Sequence, residues 1–536
     1  MNNVYDVLVV GAGMAGLTSA CYLAKAGLRV LVCERAEKPG GLVADFTRHG
    51  YHFDAGLRAV ENSGIIFPML RGLDIELEFL PNPVSIRVGD KIVHLEEGED
   101  EEKLLDEYAA MLTSVFPQNE NDIRAILGEV RKVMSMMDVL YGIDNPLFMD
   151  MKSDPKYLLH TILPWLFRYQ ANMRKMKNYQ LPIKQHLSKL TDSQALIEVI
   201  AQHFFRNTPG FFALGYFSLY MDYKYPKDGT GALTKALTDY LKKQNGELEC
   251  GIEITVLDPA LREATAANGR KIKYKQLIWA ADMKALYRAV GSTIGMDGSY
   301  QARAELVEKG RGGDSVLSVF FELDLEPAEV AKAFGPHCFY TPLTTGLSSL
   351  GLDSWKNAVK DTNEASKAAL ENWIHRYLAL TTFEIFCPVL RQSTLAPKNR
   401  TGLIVSTLFD IDLVREIDRA GWYPQFKDLC VQEILLQMEN ALPGIKERML
   451  DFLCSSPLTI QRHSANADGA ITGWAFDSTI PAESRFTKIA KSIQTPIPNV
   501  YQAGQWTFSP SGLPISVLTG KLASDAVIKK LKKKKS

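Results

Sequence analysis

The chain has 536 residues, 46% hydrophobic and 23% charged, a balance that supports a large core. A formal net charge of −1 argues against general nucleic-acid binding. Seven cysteines without paired spacing fit a reducing compartment, and with no metal-ligand spacing among cysteines and histidines no metal is expected.

In chain order, the first predicted element is a buried parallel strand, Val7-Leu8-Val9-Val10. Met1-Asn2-Asn3 runs straight into it, so no cleavable leader is expected. Gly11-Ala12-Gly13-Met14-Ala15-Gly16 follows, then a helix from Leu17 that stops at Gly27. A second strand over 29–33 delivers Glu34, 18 positions after Gly16. Each part has a mechanical job in holding a dinucleotide. Gly11 makes the tight turn, Gly13 lets backbone approach a pyrophosphate, and Gly16 lets helix and strand pack closely. The helix N-terminus offers free N–H groups and the positive end of its dipole, and Glu34 is placed to bond a ribose. A 2′-phosphate there would be repelled by Glu34, which disfavours NADP.

Pro39-Gly40-Gly41 and the return His52-Phe53-Asp54-Ala55-Gly56 add small residues that an NAD domain does not need, so the expected coenzyme is FAD. Here the chain resembles the flavin amine oxidase and phytoene desaturase superfamily. The Phe53-Asp54-Ala55-Gly56 segment is similar to that of carotenoid desaturases, carotenoid isomerases and retinol saturases.

Further along, residues 100–141 read as helix, broken at Phe116-Pro117. Helical, aromatic-rich character then continues to about residue 223. Two apolar runs stand out, 157–167 and 209–220, although neither reaches the ~18 residues that span a bilayer. The first is followed by Arg168, Arg174, Lys175 and Lys177, the pattern of an element lying in a membrane interface, with a helix lining the substrate cavity as the alternative. For the second, a core or cavity wall is favoured. Residues 231–257 read as helix then one strand over 249–256, with another strand over 271–281. Strands over 315–323 and 401–407 and helices near 363–379 and 425–440 are expected in a second sheet domain. Tyr225-Pro226-Lys227-Asp228-Gly229-Thr230-Gly231, Leu277-Ile278-Trp279-Ala280-Ala281-Asp282, Leu395-Ala396-Pro397, Pro457-Leu458-Thr459 and Gly473-Trp474-Ala475 resemble interior segments of the desaturase and saturase branch.

Near the C-terminus, Pro498-Asn499-Val500-Tyr501-Gln502-Ala503-Gly504-Gln505-Trp506 reads as a strand running into a small-residue turn, followed by Gly512-Leu513-Pro514 and a helix over about 515–530. This looks like the superfamily's C-terminal flavin motif, where a helix start stabilises charge on reduced flavin. The lysines 529, 530 and 532–535 form the one charge cluster, either a lipid contact or a solvated helix end.

Together these readings imply an α/β fold: a discontinuous Rossmann-type FAD domain over 1–85, 225–295 and 456–536, and an α+β substrate domain over 86–224 and 296–455. The latter carries a helical part that faces either a membrane or the substrate cavity. The cofactor set is Gly11, Gly13, Met14, Ala15, Gly16, Glu34, Arg35, Gly40, Gly41, Leu42, Gly56, Leu57 and Arg58, to which the resemblance adds Ile254, Ala281, Gly504, Gln505, Gly512, Leu513 and Pro514. Arg58 and Glu61, just past the Gly56 turn, are candidates to stabilise reduced flavin and to act as acid or base, and a structural ion pair is the competing reading. His463 is a second candidate acid. Trp506 reads as packing against the flavin. The resemblance implies saturation, desaturation or isomerisation of C–C double bonds in a long apolar substrate. The expected location is cytoplasmic, peripheral at the inner face of a membrane. An amine or amino-acid oxidase and a flavin-free prenyl-lipid escort are the alternatives on this fold; no amine-caging aromatic pair is evident, and the intact glycine motifs disfavour the escort.

Overall fold

A computed structural model describes residues 4–95, 98, 100–149, 155–290, 297–358, 364–476 and 479–533. The apolar, β-branched run near the N-terminus forms strand Tyr5–Val10 at the centre of a parallel sheet. It pairs on one side with Val30–Glu34 and on the other with Lys271–Trp279, in the registers Val10↔Cys33 and Val10↔Trp279. Glu247–Cys250 extends the sheet beyond Val30–Glu34, and Val500–Gln502 lies parallel to the end of Lys271–Trp279. Strands buried on both faces explain why these segments read as continuous apolar runs and not as alternating ones.

Helix Met14–Lys25 covers one face and packs on the C-terminal helix Leu513–Lys533, with the Ser19 hydroxyl donating to the Gly520 carbonyl at 3.1 Å. The two ends of the chain therefore share one core. The turn between the first strand and its helix is close-packed: a Cβ on Gly16 would lie 1.9 Å from the Gly11 carbonyl oxygen.

The single strand expected over 249–256 is two strands. The chain breaks at Gly251, whose φ of +74° favours glycine, and leaves Glu247–Cys250 for Ile254–Asp258. That second piece pairs antiparallel with Glu263–Ala266, which pairs in turn with the start of Lys271–Trp279. Apolar pattern alone gives no signal for a change of direction in mid-run.

A second sheet has the order Met449–Ser455, Ser315–Leu323, Thr401–Phe409, Phe383–Phe386, His337–Thr341, Val84–Val88, Lys91–Leu95. It is antiparallel except for the parallel pair His337–Thr341 and Val84–Val88. Helices Glu364–Leu380 and Tyr423–Glu439 bury apolar faces in its core. A helical layer, including Glu101–Val115, Glu120–Tyr141 and Gly210–Tyr220, packs by the Val84–Leu95 edge. The 209–220 run is thus mostly core. The 157–167 run forms a π-turn, Leu158–Ile162, leading into helix Leu163–Lys175. Among the described residues, no helix is long and apolar enough to cross a membrane. Lys534 and Lys535 lie outside the described residues.

Candidate active site

The carboxyl ends of Tyr5–Val10, Lys271–Trp279 and Val500–Gln502 open into one cavity of about 1690 Å³. Ligand sites usually hold roughly 300–1,000 Å³, so this one has room for a dinucleotide and a second molecule. A crevice beyond the strand ends is where open α/β sheets bind ligands. Every site residue singled out in the sequence lines this cavity except Gly16, which packs behind it against Gly11.

At one end the first turn and the glycine pair meet: Gly13 bridges Gly40, and the Gly40 N–H donates to the Ala12 carbonyl at 2.9 Å. The first helix starts at Met14 with no side-chain cap and no acidic residue in its first turn, leaving its N–H groups toward the cavity. A Cβ on Gly13 would meet nothing within 4 Å. Uncapped donors beside open space suit a pyrophosphate. Glu34 accepts from the N–H groups of Ala12 (2.7 Å) and Ala36 (2.8 Å), which holds its carboxylate in place and leaves lone pairs for a ribose. Next to the helix start, where a Cβ on Gly504 would lie 3.4 Å from Ala15 Cβ, the Gly504 N–H donates to Thr519 Oγ1 at 2.9 Å, fastening the last strand to the C-terminal helix. These residues fit FAD. Trp506 lines the same cavity and meets Trp474 edge-on, ring centroids 4.7 Å apart.

His463 sits at this dinucleotide end. Its carbonyl and that of Arg462 accept from the Arg35 guanidinium at 2.8 and 2.9 Å. The structure therefore sets the backbone of His463 against Arg35, next in the chain to Glu34.

Arg58 is buried, donating to the carbonyls of Asp54 and Gly56, the latter at 2.8 Å, and approaching Ser406 Oγ at 3.5 Å. Burial pulls its pKa below the ordinary value, against the charges of Glu384 and Asp54. Asp54 itself is fully buried and accepts from Tyr225 Oη (2.7 Å), Thr230 N (2.8 Å) and Thr230 Oγ1 (2.7 Å). Burial pushes its carboxyl up, but these bonds and His52 outweigh that and hold it below the usual range. The Asp54-Ala55-Gly56 turn is thus clamped to the segment that precedes helix Gly231–Lys243.

Glu61 lines the cavity, as do Tyr141, Tyr216 and Tyr223. Burial pushes its carboxyl up to about 7. Three further residues here carry no sequence motif. Glu384 lines the cavity and takes a contact from His337 Nε2 at 3.0 Å. Asn82 backs His337 from a fully buried position, and the Tyr223 ring stacks on the imidazole, centroids 5.8 Å apart. The available signal was a charged residue inside an apolar strand, Phe383-Glu384-Ile385-Phe386, and a histidine beginning His337-Cys338-Phe339.

Among the described residues, one group of potential ligand atoms, on His49, Glu322 and Asp451, lies outside the cavity, and Arg48 already pairs both carboxylates.

Residues 9–73 match the family model described as an NAD(P)-binding Rossmann-like domain. Prolycopene isomerase 1 of an Oncidium hybrid cultivar is 23% identical over 87% of this chain and 74% of its own length. The all-trans-retinol 13,14-reductase of Danio rerio is 23% identical over 93% of this chain and 82% of its own. Among solved structures, cyclohexylamine oxidase from Brevibacterium oxydans shares the fold with a TM-score of 0.57 and 14% identity, covering 99% of this chain and 100% of that one. The chain thus has a Rossmann-like FAD fold and is similar over most of its length to a prolycopene isomerase and a retinol 13,14-reductase.

Proposed function

We propose that the protein saturates, desaturates or isomerises C–C double bonds in a long apolar substrate such as a carotenoid, a retinoid, another isoprenoid or a lipid chain. The observation that carries this reading is the continuity of the cavity. It runs from the glycine cradle past Arg58 into a chamber walled by Trp165, Tyr169, Met173, Phe211, Phe212 and Tyr216. Relatives named for prolycopene and for all-trans-retinol support the substrate class.

In this reading the FAD domain comprises 1–85, 225–295 and 456–536, and the substrate domain 86–224 and 296–455. Gly11, Gly13, Met14, Ala15, Gly40 and Gly41 hold the pyrophosphate. Glu34, Arg35 and Ile254 hold the adenosine end. The ring end falls to Leu42, Gly56, Leu57, Arg58, Ala281, Gly504, Gln505 and the helix start at Gly512-Leu513-Pro514. Bound flavin supplies hydride exchange at its N5 position. The chain's own residues do the rest: apolar walls exclude water, Arg58 offsets negative charge near the ring, and Glu61 holds or releases a proton close to neutral pH.

We also propose contact with an anionic bilayer surface through helix Leu163–Lys175 and the turn before it. Trp165, Tyr169 and Met173 line the cavity, while Leu159 and Phe167 are 59% and 77% exposed. Arg168, Arg174 and Lys175 flank that apolar face, so one element joins the cavity wall to a lipid-facing surface.

The test is turnover by the FAD-loaded protein, oxidised and anaerobically reduced, with prolycopene and all-trans-retinol in liposomes, products separated by chromatography. A new isomer, dihydro product or desaturated product supports the reading. Peroxide release from amines with polyenes untouched would favour an amine oxidase, and a colourless purified protein would contradict flavin chemistry.

A further inference from the structure

Glu61 and Glu384 line the same cavity, as do Tyr216 and Tyr223, whose phenols are pushed up by burial and by both carboxyls. Their surroundings are opposite. Among the described residues Glu61 makes no ion pair; Tyr141, Tyr216, Tyr223 and the like charge of Asp222 face it. Glu384 faces the imidazole of His337, the guanidinium of Arg58 and the phenols of Tyr216, Tyr220 and Tyr223.

The direction of the His337–Glu384 contact is set from behind. The Asn82 side-chain NH₂ points at the Arg58 carbonyl (3.4 Å), and the same NH₂ approaches His337 Nδ1 at 3.5 Å. An amide N–H only donates, so Nδ1 accepts and Nε2 carries the hydrogen directed at Glu384. A carboxylate in a cavity, oriented by an imidazole that a buried amide orients in turn, has the arrangement of an aimed base.

We propose that Glu384, aimed by the positioning residues His337 and Asn82, is the proton acceptor of this chamber, and that Glu61, on the lining of the same cavity, is its proton donor. The inference rests on the polyene reading above. The Glu61 O–H bond breaks as its proton forms a C–H bond on the conjugated chain. A C–H bond at another carbon breaks, its electron pair restores a double bond, and that proton goes to Glu384. One proton enters and one leaves, so the substrate becomes an isomer with no oxidant consumed, and exchange with solvent resets both carboxyls. The opposed environments agree with this division: burial pushes Glu61 up to about 7, whereas for Glu384 burial is outweighed by His337 and Arg58, which hold it below the usual range.

The test is an infrared titration of the FAD-loaded full chain between about pH 5 and pH 9, reading the protonated-carboxyl stretch. A band lost around pH 7 should be missing in Glu61→Gln and intact in Glu384→Gln. His337→Phe should add a second protonated carboxyl, which Glu384→Gln abolishes in the double variant; Asn82→Leu provides the same readout should His337→Phe fail to fold. If the band vanishes with Glu384 and not with Glu61, or if both positioning variants leave Glu384 ionised, the assignment is overturned. With a polyene that the turnover assay identifies, Glu384→Gln should cut deuterium exchange from heavy water into the substrate by about a hundredfold or more at unchanged FAD content. Retained exchange overturns the acceptor role. If no polyene is turned over, the functional reading falls, while the titration still decides donor and acceptor.

Discussion

Replacing Glu61 with glutamine keeps the shape of the side chain and removes its ionisation, which isolates one proton in the protein's response to pH. In the folded chain burial pushes this carboxyl from an ordinary 4.5 up to about 7. The folded value lies above the unfolded one, so the group's contribution to stability is full below its unfolded value and is lost as pH rises through the folded one. At about 1.4 kcal/mol per pH unit the gap corresponds to roughly 3 kcal/mol. For a cooperative unit of this length, 1 kcal/mol moves Tm by about 1 °C. The wild-type Tm should therefore fall by about 3 °C relative to Glu61→Gln between about pH 5 and pH 8. Differential scanning fluorimetry on both FAD-loaded forms reads this gap. A gap that stays constant with pH, or a wild type that gains on the variant as pH rises, would refute the buried, neutral carboxyl.

Two neighbouring glycines should separate binding from folding. Gly16→Ala drives a Cβ into the Gly11 carbonyl and should cost about 3 kcal/mol by overpacking, seen as lost Tm with or without FAD. Gly13→Ala meets open space, so the apoprotein should melt as before while flavin absorbance in the purified protein drops. Asp54→Asn weakens the clamp from Tyr225 and Thr230 and should cost about 3 kcal/mol at neutral pH. Because the Asp54 carboxyl is held low, its contribution is lost as pH falls through its folded value, and the deficit of the variant should shrink in acid. Phe167→Glu with Leu163→Glu should abolish sedimentation with phosphatidylserine vesicles without changing FAD content; unchanged sedimentation would remove this helix from the membrane contact.

The dinucleotide end was legible because its chemistry is local. A tight turn, a close approach and a helix start each demand particular residues at fixed spacing, so Gly11, Gly13, Glu34 and Gly40 announced themselves, and Gly504 did so through a turn at a strand end. The other half of the site had no such rule. Asn82, in the loop before Val84–Val88, and His337 and Glu384, on two other strands, converge only when the second sheet pairs His337–Thr341 with both Val84–Val88 and Phe383–Phe386. No spacing along the chain encodes that meeting. His463 is a similar case, since a lone histidine carries no indication of which end of a long cavity it will reach. The turn at Gly251 is intermediate: glycine there permitted a break, but only the antiparallel pairing with Glu263–Ala266 required one.

The most direct test is a crystal structure of the yellow holoprotein purified with its co-extracted lipid. The adenosine should lie against Glu34 and Ile254, and the ring between Gly504 and Arg58. An elongated apolar molecule should pass between Glu61 and Glu384. Flavin density away from Gly11 and Gly504, or a ring walled off from the tyrosine chamber, would contradict a coenzyme and a polyene meeting in one cavity.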